Sequence, residues 1–166
     1  MNEIWKRISV RKFEDRPVED EKIEQILRAA MAAPSAANQQ PWEFYVVRDP
    51  GVIKKLSKAS LYARPAAGAP VVIVPCFRQE GLRFKESAEI DLATATENML
   101  LEITSLGLGG VWLGIAPDET RMRKVEEALA IDTEKLRAFA LVPVGYPAEE
   151  REQQDRFDAD RIHYVG

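Results

Sequence analysis

Two short segments near the N-terminus hold the residues whose types and spacing could do chemistry. In Arg7-Ile8-Ser9-Val10-Arg11-Lys12-Phe13, an extended chain sends alternate side chains to opposite sides, so Arg7, Ser9 and Arg11 share one face and Ile8 and Val10 the other. Two planar guanidinium forks with a hydroxyl between them suit a phosphate, which accepts paired, charge-assisted hydrogen bonds. In Ala33-Pro34-Ser35-Ala36-Ala37-Asn38-Gln39-Gln40-Pro41-Trp42, amides and a hydroxyl come together without any charge. Those are the donors and acceptors that the edge of a heterocycle requires. Taken singly, the first segment also reads as a solvated amphipathic edge, and the second as an uncharged helix-to-strand connection.

Both segments need rigid elements around them. From Asp20, read as a helix N-cap, the apolar positions Ile23, Ile26, Leu27, Ala30 and Met31 recur at helical spacing and stop at Pro34. Trp42 to Val47 reads as a strand closed by Asp49-Pro50-Gly51, and Val52 to Ala59 as a short helix. The continuous apolar run from Pro70 to Phe77 predicts a strand buried on both faces.

Ser87 to Leu106 reads as a helix with apolar residues at Ala88, Leu92, Ala95, Met99, Ile103 and Leu106, while Ile90, Leu100 and Leu101 load its other faces. Such a helix must be deeply buried, partly against a partner subunit. Val111 to Ile115 and Arg137 to Val144 read as strands, and Asp118 to Leu129 as a helix capped by Asp118. Helices and strands mixed along one chain give an α+β or α/β reading as a single domain over 1–166. Residues 148–166 form a charged tail whose spaced apolar groups predict docking, with a second subunit as one candidate surface.

With 166 residues, 46% hydrophobic and 30% charged, the chain can build a sizeable core. Its net charge of −4 argues against a nucleic-acid partner, which favours a basic face. The absence of an apolar signal core and of a membrane-length apolar run predicts a cytoplasmic protein with no membrane partner.

The side-chain inventory for catalysis is thin. His163 is the single histidine, so zinc sites and serine–histidine triads lack material. The single cysteine, Cys76, lies in the apolar run and reads as a small buried hydrophobe. Gly107-Leu108-Gly109-Gly110 follows a helix and precedes a strand, the reverse of a dinucleotide-binding phosphate loop. Asp91 and Glu97, within the buried helix, read as groups that satisfy neighbours or face a groove. A bound cofactor is therefore expected to carry any chemistry.

The joint pattern Arg-x-Ser-x-Arg-Lys-Phe, an amphipathic helix, then Ala-Pro-Ser-x-x-Asn-x-Gln-Pro-Trp before a strand resembles the FMN-dependent nitroreductase family. The likeness continues through Leu106-Gly107-Leu108-Gly109, the strand Val111 to Ile115, Val144-Gly145-Tyr146-Pro147 and Arg156. It implies an α+β fold with a central mixed β-sheet flanked by helices, in an interlocked homodimer that holds FMN between its subunits.

Carried over by position, Arg7 and Ser9 would hold the FMN phosphate, with Ile8 nearby through its backbone and Arg11 beside the pyrimidine edge. Pro34, Ser35, Ala36, Asn38 and Gln40 would reach the flavin from the other subunit. The backbone at Leu113, Gly114 and Ile115 would face its N5 and O4 side, and Arg156 would return to the phosphate from the tail. No side chain is assigned as catalytic and no metal is expected.

Two departures stand out: Gln154 replaces a lysine frequent in the family, and the pocket-shaping excursion of many relatives shrinks to about Gln79 to Glu86. The implied activity is an NAD(P)H oxidoreductase passing hydride from NADH or NADPH through flavin N5 to a nitroaromatic, quinone or related small-molecule acceptor. Alternatives are a specialised relative that dehalogenates, reduces an activated double bond or consumes its flavin, and a non-catalytic flavin-binding redox module. A cofactor-free interaction protein is the remaining reading.

Overall fold

The structure is a computed structural model that describes residues 2–149 and 152–166. Its centre is the strand β2 (Val71–Arg78), in which every residue but the last is buried. β1 (Trp42–Val47) pairs with one edge of β2, and β5 (Leu136–Ala138) and β6 (Ala140–Gly145) pair with the other. The short strands β3 (Gly109–Gly110) and β4 (Leu113–Gly114) add to β6. All of these pairings are antiparallel, and the parallel component of the sheet is the bridge between Ser9 and Gly110. A continuous apolar strand thus reports cover on both faces here, not a parallel direction.

Two strands read as continuous are interrupted. Val111 to Ile115 is paired only at Leu113–Gly114, and the Arg137 to Val144 run breaks at Phe139, whose N–H donates to Pro75 O at 2.9 Å. Pro75 has no N–H to return, so the ladder cannot run regularly past it. Phe139 instead packs its ring against Trp112, with centroids 5.4 Å apart.

Helix α2 (Asp20–Met31) follows its apolar stripe, burying Ile23, Ile26 and Ala30. Its cap differs from the expectation. Glu19 occupies the cap position, and the Asp20 carboxylate pairs with Arg48 Nη2 at 2.6 Å instead of closing on the helix. The short helix after Pro50 is α3 (Pro50–Leu56), capped by Asp49, which accepts from Val52 N. A 3-10 segment, Leu61–Gly68, follows it.

The long helix α4 (Ala88–Ser105) buries Leu92, Ala95, Thr96, Met99, Leu100 and Ile103 against α2 and β2. Ile90 is exposed. Helix α5 (Glu119–Leu129) begins where predicted, with Asp118 accepting from Thr120 N and Arg121 N. Asp118→Ala is expected to lower stability by about 1 kcal/mol, read as a shift in the urea midpoint at constant slope.

A short N-terminal helix, α1 (Glu3–Lys6), precedes the first polar segment. Residues 9–14 then run extended between two edges: Val10 N donates to Gly110 O, Glu14 N to Tyr146 O, and Lys12 O accepts from Ala148 N. Gly109 permits this approach, because a Cβ there would sit 2.7 Å from the Val10 side chain. Among the described residues, no helix is long and apolar enough to cross a membrane.

Candidate active site

The extended run after α1 gives the first polar segment the alternation its sequence predicts. Val10 is buried, and Ile8 and Val10 line a cleft of about 560 Å³ together with Thr104 and Leu108. Arg7 and Ser9 are half-buried and Arg11 is exposed. Arg7 Nε lies 3.6 Å from Glu97 Oε1 on α4, and Arg11 Nη1 donates to Ser9 O at 3.2 Å. The guanidinium of Arg7 is thus oriented by one exposed carboxylate, an attraction that solvent keeps weak and that an incoming phosphate can replace.

The second polar segment is a strained loop. Ala37, Asn38 and Gln40 have φ values of 48°, 56° and 46°, a left-handed conformation that costs residues with a Cβ free energy. Its surroundings enforce it. Asp91, buried on the first turn of α4, accepts from Ala36 N at 2.9 Å through one oxygen and from Gln39 Nε2 at 2.7 Å through the other. Thr94 Oγ1 donates to Pro34 O, and Arg78 Nη2 donates to the carbonyls of Gln39 and Gln40 at 3.1 and 2.9 Å.

Within the loop, Ser35 Oγ accepts from Gln40 N and Asn38 Oδ1 accepts from Gln40 Nε2, both at 3.0 Å. Asn38 and Gln40 remain exposed, so the loop presents two amides on a fixed backbone. The loop is braced by Asp91, which satisfies neighbours as its place in the buried helix predicts, and by Gln39, Thr94 and Arg78, the last two of which carry no such expectation from the sequence. The signals that mark Asp91 and Arg78 are an acid inside a helix otherwise loaded with apolar residues, and an arginine closing an all-apolar strand.

The remaining expected contacts lie at and beside β4 and in the tail. Leu113 and Ile115 are buried while Gly114 between them is exposed, and beyond its chain neighbours no atom lies within 4 Å of the place a Cβ would take. The chain therefore offers bare backbone at this point. Arg121 Nη1 approaches the Gly114 carbonyl at 3.4 Å. Arg156 is exposed in the tail and shares a cleft with Ile4 and Trp5 of α1, next to the segment that carries Arg7.

No hydrogen bond or ion pair among the described residues joins Arg7, Ser9 and Arg11 to the loop 34–40. The two groups instead contact α4 separately, at Glu97 and at Asp91 and Thr94. Within one chain, α4 thus braces the two polar segments at different positions along its length.

Among the described residues, no cysteine thiol lies on this surface. Cys76 is buried in β2, and its thiol is pushed up to about 12, first by burial and then by the nearby Glu126 and Glu43 carboxylates. It stays protonated and inert at neutral pH. No group of three or more metal-ligating side chains occurs among the described residues.

A phosphate-bearing heterocycle fits these groups: cations and a hydroxyl at one end, uncharged amides on a rigid loop, and an uncovered glycine backbone. Comparisons with known proteins give the family. The nitroreductase family model matches residues 4–65 and 61–146. A protein of Archaeoglobus fulgidus, provisionally described as an NADH dehydrogenase/NAD(P)H nitroreductase, is 44% identical over 96% of this chain and 94% of its own length.

Among solved structures, an FMN-dependent nitroreductase from Clostridium difficile superimposes with a TM-score of 0.91 at 26% identity, covering 99% of this chain and 98% of that one. A Desulfovibrio desulfuricans protein crystallised with FMN, provisionally described as a nitroreductase, gives 0.87 at 30% identity over 99% and 95%. Extended strand, strained polar loop and bare glycine backbone thus sit on a shared fold, and the chain belongs to the nitroreductase family.

Proposed function

We propose that the protein is an FMN-dependent NAD(P)H oxidoreductase that works as a homodimer, with one FMN held between half-sites from opposite chains. The observation that carries this reading is the loop 35–40. It holds three non-glycine residues in left-handed conformation, braced by a buried carboxylate, and ends in two exposed amides. Such strain persists where the surroundings over-determine it, and it clusters at ligand sites.

In this reading Arg7 and Ser9 hold the FMN phosphate, Ile8 approaches through its backbone, and Arg156 adds a cation from the tail. Arg11 places positive charge at the pyrimidine edge, where it stabilises negative charge gained on reduction. Pro34, Ser35, Ala36, Asn38 and Gln40 of the second chain orient the ring's polar edge. The backbone of Leu113, Gly114 and Ile115 lies opposite, with Gly114 leaving the approach open. When bound, FMN would supply the hydride and electron transfer between NADH or NADPH and an oxidised acceptor such as a nitroaromatic or quinone.

Exposed apolar groups support the dimer. Ile4 and Trp5 on α1, Ile90 on α4, and Phe157, Tyr164 and Val165 in the tail stand in solvent on a single chain, a pattern that marks an interaction surface. The tail 148–166 of this one domain docks on the partner in this reading.

The purified protein is expected to be yellow, or to become so with FMN, to elute as a dimer, and to bleach anaerobically with NADH or NADPH. A colourless chain that takes up no FMN on titration would end the proposal. Bound FMN that neither nucleotide reduces would favour the redox module, and turnover across an acceptor panel separates nitro or quinone reduction from dehalogenation and double-bond reduction.

A further inference from the structure

In a chain of net charge −4, several cations stand on three neighbouring elements. Lys54 and Lys55 on α3, Lys58 just after it, Arg64 in the 3-10 segment, and Arg123 and Lys124 on α5 make no ion pair and no side-chain hydrogen bond among the described residues. These elements pack together, α3 against both the 3-10 segment and α5. Two clefts of about 410 and 340 Å³ open between them and share Lys58 and Lys124 as lining, with Arg64 in the first. Glu127 is the carboxylate that lines the second.

The face is not an isolated patch. The 3-10 segment also abuts β4, the strand whose Gly114 backbone is uncovered. Arg121 connects the two, since its guanidinium approaches the Gly114 carbonyl at 3.4 Å and lies 6.0 Å from the centre of the exposed Tyr62 ring. From the proposed flavin edge, the surface therefore passes through an arginine and an exposed aromatic ring to a concave group of unpaired cations. Concavity favours a compact polyanion over a flat protein surface, and unpaired like charges oppose burial against a second copy.

We propose that these clefts dock the phosphates of the nicotinamide nucleotide donor, with Lys58 and Lys124 as the shared clamp and Arg64 as a third cation. This rests on the oxidoreductase reading above. No residue here is assigned to the chemistry; the cations act by binding the donor's charged end while its nicotinamide reaches the flavin edge.

The test compares the FMN-loaded protein with its Lys58→Glu/Lys124→Glu variant, checked for unchanged FMN content. NADPH, NADH and 1-benzyl-1,4-dihydronicotinamide, a hydride donor without phosphate, serve as substrates. Replacing two attractive charges by two repulsive ones is expected to raise KM for both nucleotides by about tenfold or more, most for NADPH with its extra phosphate. kcat at saturation and KM for the benzyl donor should hold. Added salt should raise KM for the nucleotides alone, because screening weakens exposed charge attraction.

Calorimetry with 2′,5′-ADP reads the cleft without turnover: the original chain should bind it and the variant should not. Unchanged nucleotide KM, an equal loss with the benzyl donor, or no 2′,5′-ADP binding by the original chain would each overturn the assignment. Should the chain take up no FMN at all, the oxidoreductase reading fails on its own, while the calorimetric arm still decides whether the clefts bind phosphate.

Discussion

Replacing Asp91 with alanine is expected to lower stability by about 2–3 kcal/mol and to weaken FMN uptake further than that loss explains. The substitution leaves Ala36 N–H and the Gln39 amide without the buried acceptor that now takes both. A lost partner in a buried network costs the desolvation of the groups left behind, not merely one hydrogen bond. It also removes the restraint on a loop with φ of 48°, 56° and 46° at Ala37, Asn38 and Gln40, which can then relax to a less strained backbone.

Urea unfolding of the apoprotein measures the first effect, and fluorescence titration with FMN the second. Asp91→Asn keeps the volume and one acceptor, so it should fall between the two proteins in both measurements. Apoprotein stability unchanged in Asp91→Ala would show that the loop holds itself.

Arg7→Ala is expected to weaken FMN binding by about 1.5 to 3 kcal/mol, roughly ten- to 150-fold in Kd, through the loss of a charged hydrogen bond to phosphate. Its effect on folding should be small. The partner it loses, Glu97 at 3.6 Å, is half-exposed, and exposed ion pairs contribute up to about 1 kcal/mol. Affinity and stability therefore separate: Arg7→Ala moves the FMN titration and leaves the thermal midpoint nearly in place. Glu97→Gln, which frees the guanidinium from its carboxylate, should not weaken FMN. An Arg7→Ala protein that binds FMN as tightly as the original would remove Arg7 from the phosphate site.

Much of the fold was legible because its elements carry strong local periodicity. Ile23, Ile26 and Ala30 fall on the buried stripe of α2 as spaced, and the apolar run through Val71–Val74 is the buried middle of the sheet. The helix from Ala88 and the Asp118 cap also stand where the residues place them. The misreadings are local competitions between partners. Asp20 pairs with Arg48 instead of capping its helix, and Pro75 interrupts the ladder that the run from Arg137 would otherwise continue. The helical turn Glu3–Lys6 is too short to show a period at all.

Local sequence set the chemical character of the two polar segments: guanidinium and hydroxyl groups at alternating positions 7, 9 and 11, and uncharged amides in a loop between a helix and a strand. Chain alternation and residue type suffice for that, since both are properties of neighbours. What makes the loop rigid comes from packing between distant segments. Asp91 meets Ala36 across 55 positions of sequence, and Arg78 meets Gln39 across 39. The structure also set Lys58 and Lys124 on one pair of clefts, although 66 positions separate them in the sequence. Hydrophobic spacing records which face of an element is buried. It carries no mark of which distant polar group the buried face will bring to a site, because that partner is chosen by the packing of the whole chain.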